Sequence, residues 1–488
     1  MVNTTAFMAA MRCEWRILRL DPALWLVQVM IVATVAYALH NGGVMVERHN
    51  AAVAAAMTEE AGRLAHLRQS LADIESGSAA PPSMPFRDPR NALFMGSGAA
   101  ATHAVLPLQP LALTAVGQSD LYPATLRVSA ATRDTFIFSD EIANPSHLLS
   151  GSFDLAFVLV FLYPLWILAL TYNLVSGERE QGTLALTAAC PVPLRSVLAG
   201  KLLVRAGLPM LFTLAVVVVG LFIALGDALL SAITALLALL LAITLYGVFW
   251  AGLAAAINGL GRDSAYNALL LVVSWIALLL VVPALINGWS EWRHPSPSRA
   301  EMVLAVRAAA VDGDRERDAS LARYQEEHGH SHSNGDALQR GSYRERTQRR
   351  LAVQELAMRR VEEIMVVHDQ RLLQQQALSS RLGYLSPALL MHLALAEIAG
   401  TGHGRYGAFF NQVEQFHRGW RDFFISKAKT ETWLEVADYS HFPRFSFVEV
   451  RAPAFFGRVA PSVVGITVLL FCIALVATRT LRRCRVVG

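Results

Sequence analysis

Apolar and polar positions fall along this chain in long blocks, not in the short periods of a soluble domain. Apolar runs extend from about Pro22 to Leu39, Phe153 to Tyr172, Tyr266 to Asn287 and Val459 to Thr478, and fill most of Arg205 to Arg262. A helix needs roughly 20 such residues to cross a hydrocarbon core. The stretch from Arg205 to Arg262 has Asp227 as its one charged residue between those ends, is too long for one helix, and turns at Gly226-Asp227. Six membrane spans result, at 22–40, 153–172, 206–226, 228–258, 266–288 and 458–478.

Two longer, more polar segments separate them. Residues 41–152 open on a helical spacing, with Met57, Leu64, Leu67, Leu71 and Ile74 at threes and fours. A proline break follows from Pro81 to Pro89, then a strand-like run near Asp134–Ser139, which together predict a small mixed α/β domain. Residues 289–457 are richer in charge. Helical patterns cover about Ser298–Glu327 and Arg344–Leu382, where Met358, Val361, Met365, His368 and Leu372 keep the spacing of a coiled-coil seam. A long helical hairpin standing off the bilayer is the economical reading, with a compact helical domain as the alternative.

The first residues, 1–21, predict a further helix. Phe7, Met8, Met11, Trp15 and Leu18 share one side, while Arg12, Arg16 and Arg19 lie elsewhere. Such a helix lies in the membrane interface or in the cytosol. Ala36-Tyr37-Ala38 has the small-x-small form of a cleavage site, but Glu14, Trp15 and Asp21 favour a retained first helix over a cleaved leader. The fold class is a mainly α polytopic membrane protein, with six transmembrane helices, an N-terminal interfacial helix and two extracytoplasmic domains.

Composition agrees: the chain is 54% hydrophobic and 16% charged, where average soluble domains carry about 25% charged residues. A net charge of +4 over 488 residues argues against a nucleic-acid partner. The distribution of basic residues sets orientation. Arg12, Arg16 and Arg19, then Arg179, Arg195, Lys201 and Arg205 in the loop 173–205, Arg262 in the loop 259–265, and Arg479, Arg482, Arg483 and Arg485 in the tail 479–488 all fall on one side. That side is expected to be the cytoplasm, so that the chain crosses the cell's inner membrane with both termini cytoplasmic and both long segments outside. Cys13, Cys190 and Cys484 then lie in cytoplasmic segments and Cys472 in the last span, so disulfides do not hold the outer segments together.

The most informative segment follows the second span. It reads Ser176-Gly177-Glu178-Arg179-Glu180-Gln181-Gly182-Thr183-Leu184, then Cys190-Pro191-Val192-Pro193 and Leu198-Ala199-Gly200-Lys201. Gly182-Thr183 is suited to break one helix and cap the next, and Pro191 and Pro193 to end it. The run resembles that of ABC transporter permeases of the ABC-2 (exporter) type, in which Glu-x-Glu-x-Gly-Thr-Leu leads from the second span into a short coupling helix. The six-span layout and N-terminal interfacial helix are similar too. The phrases Val116-Gly117-Gln118-Ser119-Asp120-Leu121-Tyr122-Pro123 and Ser386-Pro387 through Ala399-Gly400-Thr401 to Arg405-Tyr406 resemble a subgroup with a helical insertion before the last span.

The resemblance implies a separate ABC ATPase subunit dimer that binds ATP and Mg, and a second permease, identical or related. Glu178, Arg179 and Glu180 would give register at the ATPase, Leu184 and Leu186 grip, with Gly182, Thr183 and Pro191 shaping the element. The bland alternative is a charged loop that only fixes topology. Catalytic motifs are absent from the sequence: Gly200-Lys201 is followed by Leu202, so no phosphate loop forms, and there is no His-Glu-x-x-His or Gly-x-Ser-x-Gly. The chain therefore reads as a non-catalytic subunit without its own cofactor. A mechanical transducer acting on a periplasmic protein at the outer hairpin is the second reading, and a scaffold or sensor without an ATPase the third. His328, His330 and His332 sit beside Glu326 and Glu327. They are candidate metal ligands, although the Gly and Ser between them fix no geometry and a solvated turn is the default.

Overall fold

A computed structural model describes residues 4–82, 87–117, 123, 125–130, 153–189, 194–295, 373–430, 432–449 and 452–483, with isolated positions between 304 and 371. The fold is mainly helical and has six helices long and apolar enough to cross a membrane, so the chain is a multi-pass membrane protein.

Helix α1 spans Thr4–Leu18 and α2 Pro22–Glu75. The Asp21 side chain caps α2 at the Ala23 amide, with Pro22 in the first turn, where its missing N–H costs nothing. The sequence separates a first span from a later amphipathic helix, yet α2 runs unbroken for 54 residues, about 80 Å at 1.5 Å per residue. Gly42 lies inside it because a Cβ there would sit 1.9 Å from the Leu113 carbonyl oxygen. Glycine is what allows the 3-10 turn Pro110–Thr114 to lie against α2.

The second span begins with a turn at Leu155–Phe157, widens to a π turn at Val158–Leu162 and continues as α3, Tyr163–Thr171. Asp154 caps it, accepting from the Phe157 amide at 2.7 Å and from the Val116 amide at 2.8 Å. Two short helices follow, α4 (Ser176–Glu180) and α5 (Thr183–Ala189). The third span is α6 (Leu194–Leu225) and the fourth α7 (Ile233–Asn258), joined where Gly226 takes φ +52°, as the Gly-Asp pair predicts. The fifth is α8 (Ser264–Ile276), a π turn at Ala277–Val281 and α9 (Val282–Arg293). Then come α10 (Pro387–Ala399), α11 (His403–Lys429) and α12 (Ala452–Arg483), which contains the sixth span.

A π turn leaves a main-chain carbonyl without its usual helical donor, which is costly in a membrane. Neighbouring helices supply donors here. Tyr246 O–H reaches the Val160 carbonyl at 3.0 Å, and Trp275 Nε1–H the Phe161 carbonyl at 3.2 Å. At the other π turn, Ser386 Oγ donates to the Leu278 carbonyl at 3.0 Å.

That last contact ties part of the segment 289–457 to the fifth span. Pro387–Ala399 belongs to the core of the bundle, with Leu390, Met391, Leu395 and Ile398 buried against α7 and α12. It bends by 119° from Leu373–Gly383, the geometry of a broken span or a re-entrant loop. The physical reason is composition: nine of its thirteen residues are buried and all nine are small or apolar, which suits a packed core.

The described parts of the two long segments outside the spans pack together as one head. Phe409, Val413, Trp420 and Phe424 recur along one face of α11. They share a core with Met95, Ala104, Leu126 and Val128 of the earlier segment. Gly96 permits the contact, since a Cβ there would lie 2.7 Å from Phe424 Cβ. The antiparallel strands β1 (Thr102–Val105) and β2 (Thr125–Val128) pair Thr102 with Val128 and Val105 with Thr125. Arg405, 1% exposed, bonds both Glu449 oxygens at 3.0 and 2.8 Å and the Pro107 carbonyl at 2.7 Å. Burial raises the Glu449 carboxyl, but the hydrogen bond and charge of Arg405 outweigh it and hold the group below its usual value. The strand-like run at 134–139 and most of the two predicted hairpin arms lie outside the described residues.

Candidate functional site

The segment after the second span is a helix–glycine–helix element. α4 ends at Glu180, Gly182 takes φ +74° with open space around it, and α5 starts at Thr183. A left-handed φ suits glycine and stops a helix. The Thr183 hydroxyl donates back to the Glu178 carbonyl at 3.2 Å.

Each charged side chain of the motif is engaged by the chain itself. Glu178 pairs with Lys201 of α6, whose ammonium also lies 3.5 Å from Glu14 of α1. Glu14, 1% exposed, in turn accepts from Arg205, which also donates to Asn173. The cluster holds two carboxylates and two cations, so it is neutral, and a neutral network is how ionic groups tolerate burial. Arg179 donates to the Gly261 carbonyl. Glu180 accepts from the Ser264 amide at 2.6 Å and the Ser264 hydroxyl at 3.0 Å, placing its charge at the positive end of α8.

Behind this layer lie buried amides. Asn258 donates to the Thr171 carbonyl at 3.0 Å and accepts from the Val175 amide at 3.2 Å. Asn267 donates to the Ser176 hydroxyl at 3.3 Å, and the Ser176 and Ser264 hydroxyls are hydrogen-bonded at 2.8 Å. The ends of spans two, three, four and five are thereby fastened to one another and to α1. Gly200 completes the seat of α1, since a Cβ there would lie 2.8 Å from the Phe7 carbonyl. The end of α12 arrives too, with Leu481 against Leu184 and Leu198.

Leu184 is therefore not an exposed grip: it is buried with Val175 and Leu198. The charges of Glu178, Arg179 and Glu180 are likewise spent on internal contacts, because the ends of four spans must be held where water reaches them. What remains outward is Gln181, Gly182, Thr183, Ala185 and Ala189, with Glu180 at the edge. Pro191, Cys190 and the side chain of Leu186 lie outside the described residues. Sequence reasoning missed Glu14, Asn173, Asn258, Ser264 and Asn267. Asn258 and Asn267 carried a signal, being amides beside or within apolar runs, where each must find a partner.

Among the described residues no three His, Cys, Asp or Glu side chains converge on a metal-sized site. His328, His330 and His332 lie outside those residues. Cys13 and Cys472 are free thiols.

A family model, that of a domain of unknown function (DUF3526), matches residues 299–448. The match begins after the fifth span and ends at the last residues of the head, before α12. It includes α10 and α11 and leaves out the helix–glycine–helix element. No curated protein and no solved structure matches the chain.

Proposed function

We propose that this chain is the permease subunit of an ABC transporter of the ABC-2 exporter type, in the inner membrane with both termini cytoplasmic. A separate ATPase dimer binds ATP and Mg, and a second permease, identical or related, completes the membrane portion. The observation that carries the reading is the helix–glycine–helix element itself. It has the Glu-x-Glu-x-Gly-Thr-Leu sequence, stands at the basic end of the bundle, and is tied to α6, α8 and α1 while one small-residue face stays outward. A drive element needs that combination: a surface for a partner and a stiff backing that passes displacement to the spans. α1 then lies in the cytoplasmic interface, and the head outside the cell membrane.

Ala185→Arg tests it. Ala185 is exposed and has no place in the ion-pair network, so the variant should insert and melt like wild type. An arginine forced into a packed interface costs about 2 kcal/mol or more, roughly 30-fold in affinity. Loss of ATPase co-purification and of permease-stimulated hydrolysis is expected. Wild-type levels of both would remove the support for the permease reading.

The second reading, a mechanical transducer acting on a periplasmic partner, is favoured by α2, one continuous helix from the basic end into the head. Deleting about 315–341 should then abolish cellular function while leaving stimulated ATP hydrolysis intact; loss of both argues against a transducer.

A further inference from the structure

We infer that the outward stripe of α1 is a binding surface for the headgroups of anionic phospholipids. The inference rests on the orientation given above only for which leaflet is meant, and it needs no ATPase.

Helix α1 is fixed by one side. Ala10, Glu14 and Leu18 are buried against the bundle, Glu14 bonding Arg205. At about 100° per residue, Arg12 and Arg16 lie about 40° apart on the opposite side, and Arg19 follows in the turn after Leu18, its amide still bonded to the Trp15 carbonyl. All three are exposed. Among the described residues none has a carboxylate partner: Glu14 is turned to α6, and Asp21 is engaged in capping α2 through the Ala23 amide. Four other arginines, Arg90, Arg205, Arg405 and Arg458, each hold a carboxylate of this chain. Arg12, Arg16 and Arg19 thus form one row of guanidinium groups without a carboxylate partner among the described residues.

Their surroundings point to lipid. Trp15 and Met8 border the row, 46% and 50% exposed, and Leu20 follows at 79%. Trp25, 60% exposed at the start of the first span, donates its Nε1–H to the Arg19 carbonyl at 3.0 Å. An indole with its ring outward and its N–H satisfied at a span end suits the membrane–water boundary. A helix seated there, with arginines pointing away from the bundle, meets phosphate groups of surrounding lipids. Guanidinium binds phosphate through paired N–H donors, and basic side chains near an anionic leaflet gain about fivefold each in association. A soluble acidic protein would need no such apolar border.

The test uses the purified full-length chain in detergent–lipid mixtures, with spin-labelled phosphatidylglycerol and phosphatidylcholine as probes of relative association. Wild type should prefer phosphatidylglycerol, and the preference should fall between 0.05 and 0.5 M salt, on the order expected for charges at a surface. Arg12→Gln/Arg16→Gln/Arg19→Gln should reduce the preference at least tenfold, and the triple Lys variant should keep most of it. A wild type without a salt-sensitive preference overturns the inference, whatever becomes of the variants. So does a folded triple Gln variant with unchanged preference, which would leave the stripe to a soluble acidic partner. Unchanged lipid preference in Ala185→Arg keeps this result separate from the ATPase reading.

Discussion

Glu14→Gln is the sharpest probe of how α1 is held. The substitution keeps shape and one acceptor oxygen but removes the charge that faces Arg205 and Lys201, leaving the cluster with a net positive charge. Removing one partner of a buried ion pair costs about 3–5 kcal/mol. Two facts lower that here: Lys201 keeps Glu178, and Arg205 keeps Asn173. Both cationic side chains also retain some contact with solvent, 11% and 17% exposed. About 2–3 kcal/mol is the resulting expectation, a 30- to 150-fold rise in local opening at 1.4 kcal/mol per decade. Amide hydrogen exchange read by mass spectrometry reports such opening directly. Peptides covering Thr4–Leu18 should lose protection by that factor, while peptides from Ile233–Asn258 in the same sample stay unchanged. Glu178→Gln should loosen α4 and leave α1 nearly as protected, because Lys201 and Arg205 both keep Glu14. Wild-type protection of α1 in folded Glu14→Gln would show that apolar packing on α6, not the ion pairs, holds the helix.

Adjacent glycines of α2 give opposite expectations. Gly43→Ala meets nothing within 4 Å and should stabilise by roughly 0.5–1 kcal/mol through helix propensity, whereas Gly42→Ala meets the Leu113 carbonyl and should destabilise by about 1–3 kcal/mol. Thermal melts of the two variants check the order, and a stabilising Gly42→Ala would contradict the close approach. Ser386→Ala removes the cap on Leu389 and the donor to the Leu278 carbonyl, for about 2–3 kcal/mol in a melt; Ser386→Thr should restore most of it. The head should weaken in acid. Because the Glu449 carboxyl is held below its ordinary value of 4.5, its pairing with Arg405 contributes fully above that pH and is lost as pH falls through the lower folded value. Glu449→Gln should flatten that part of the profile, and an unchanged acid profile would assign the loss to other groups.

The spans were legible because hydrocarbon imposes one demand, a long apolar helix, that the sequence must meet locally. Gly226-Asp227 was legible for the same reason, since a turn between two spans needs a residue free to take positive φ. Tertiary choices were not. Nothing in Met57 to Ile74 tells whether that helix is separate from the first span, and what packs on it at Gly42 is Leu113, a residue 71 positions later. Pro387–Ala399 reads as an ordinary apolar helix of an outer domain until its cap, Ser386, is seen against a π turn of the fifth span. In the charged motif, composition alone suggests outward side chains, whereas Glu178 and Arg179 are held by Lys201 and Gly261. Exposed docking charges and internal fasteners have the same composition, and only the positions of Lys201, Gly261 and Ser264 separate them.

That reassignment changes where a partner's push would act. A docking contact through exposed Glu178 and Glu180 would load two flexible side chains, each of which can swing without moving the backbone. With those carboxylates bound to Lys201 and to the amide end of α8, the load on α5 reaches spans three and five through short polar contacts. It reaches α1 through Glu14 and the sixth span through Leu184 against Leu481. Gly182 is the one joint in that path with open space around it, so a turn at Gly182 and rigidity beyond it are the two properties the segment combines. Gly182→Ala separates them: a β-carbon clashes with nothing, yet φ +74° is strained for alanine by about 1–2 kcal/mol. The variant should therefore keep the ion pairs and the fold while biasing the angle between α4 and α5. If coupling to an ATPase depends on that angle, stimulated hydrolysis falls with co-purification intact, the reverse of the loss of binding expected for Ala185→Arg. Equal, wild-type hydrolysis in Gly182→Ala would mean that the joint is not used, and that displacement enters the spans by another route.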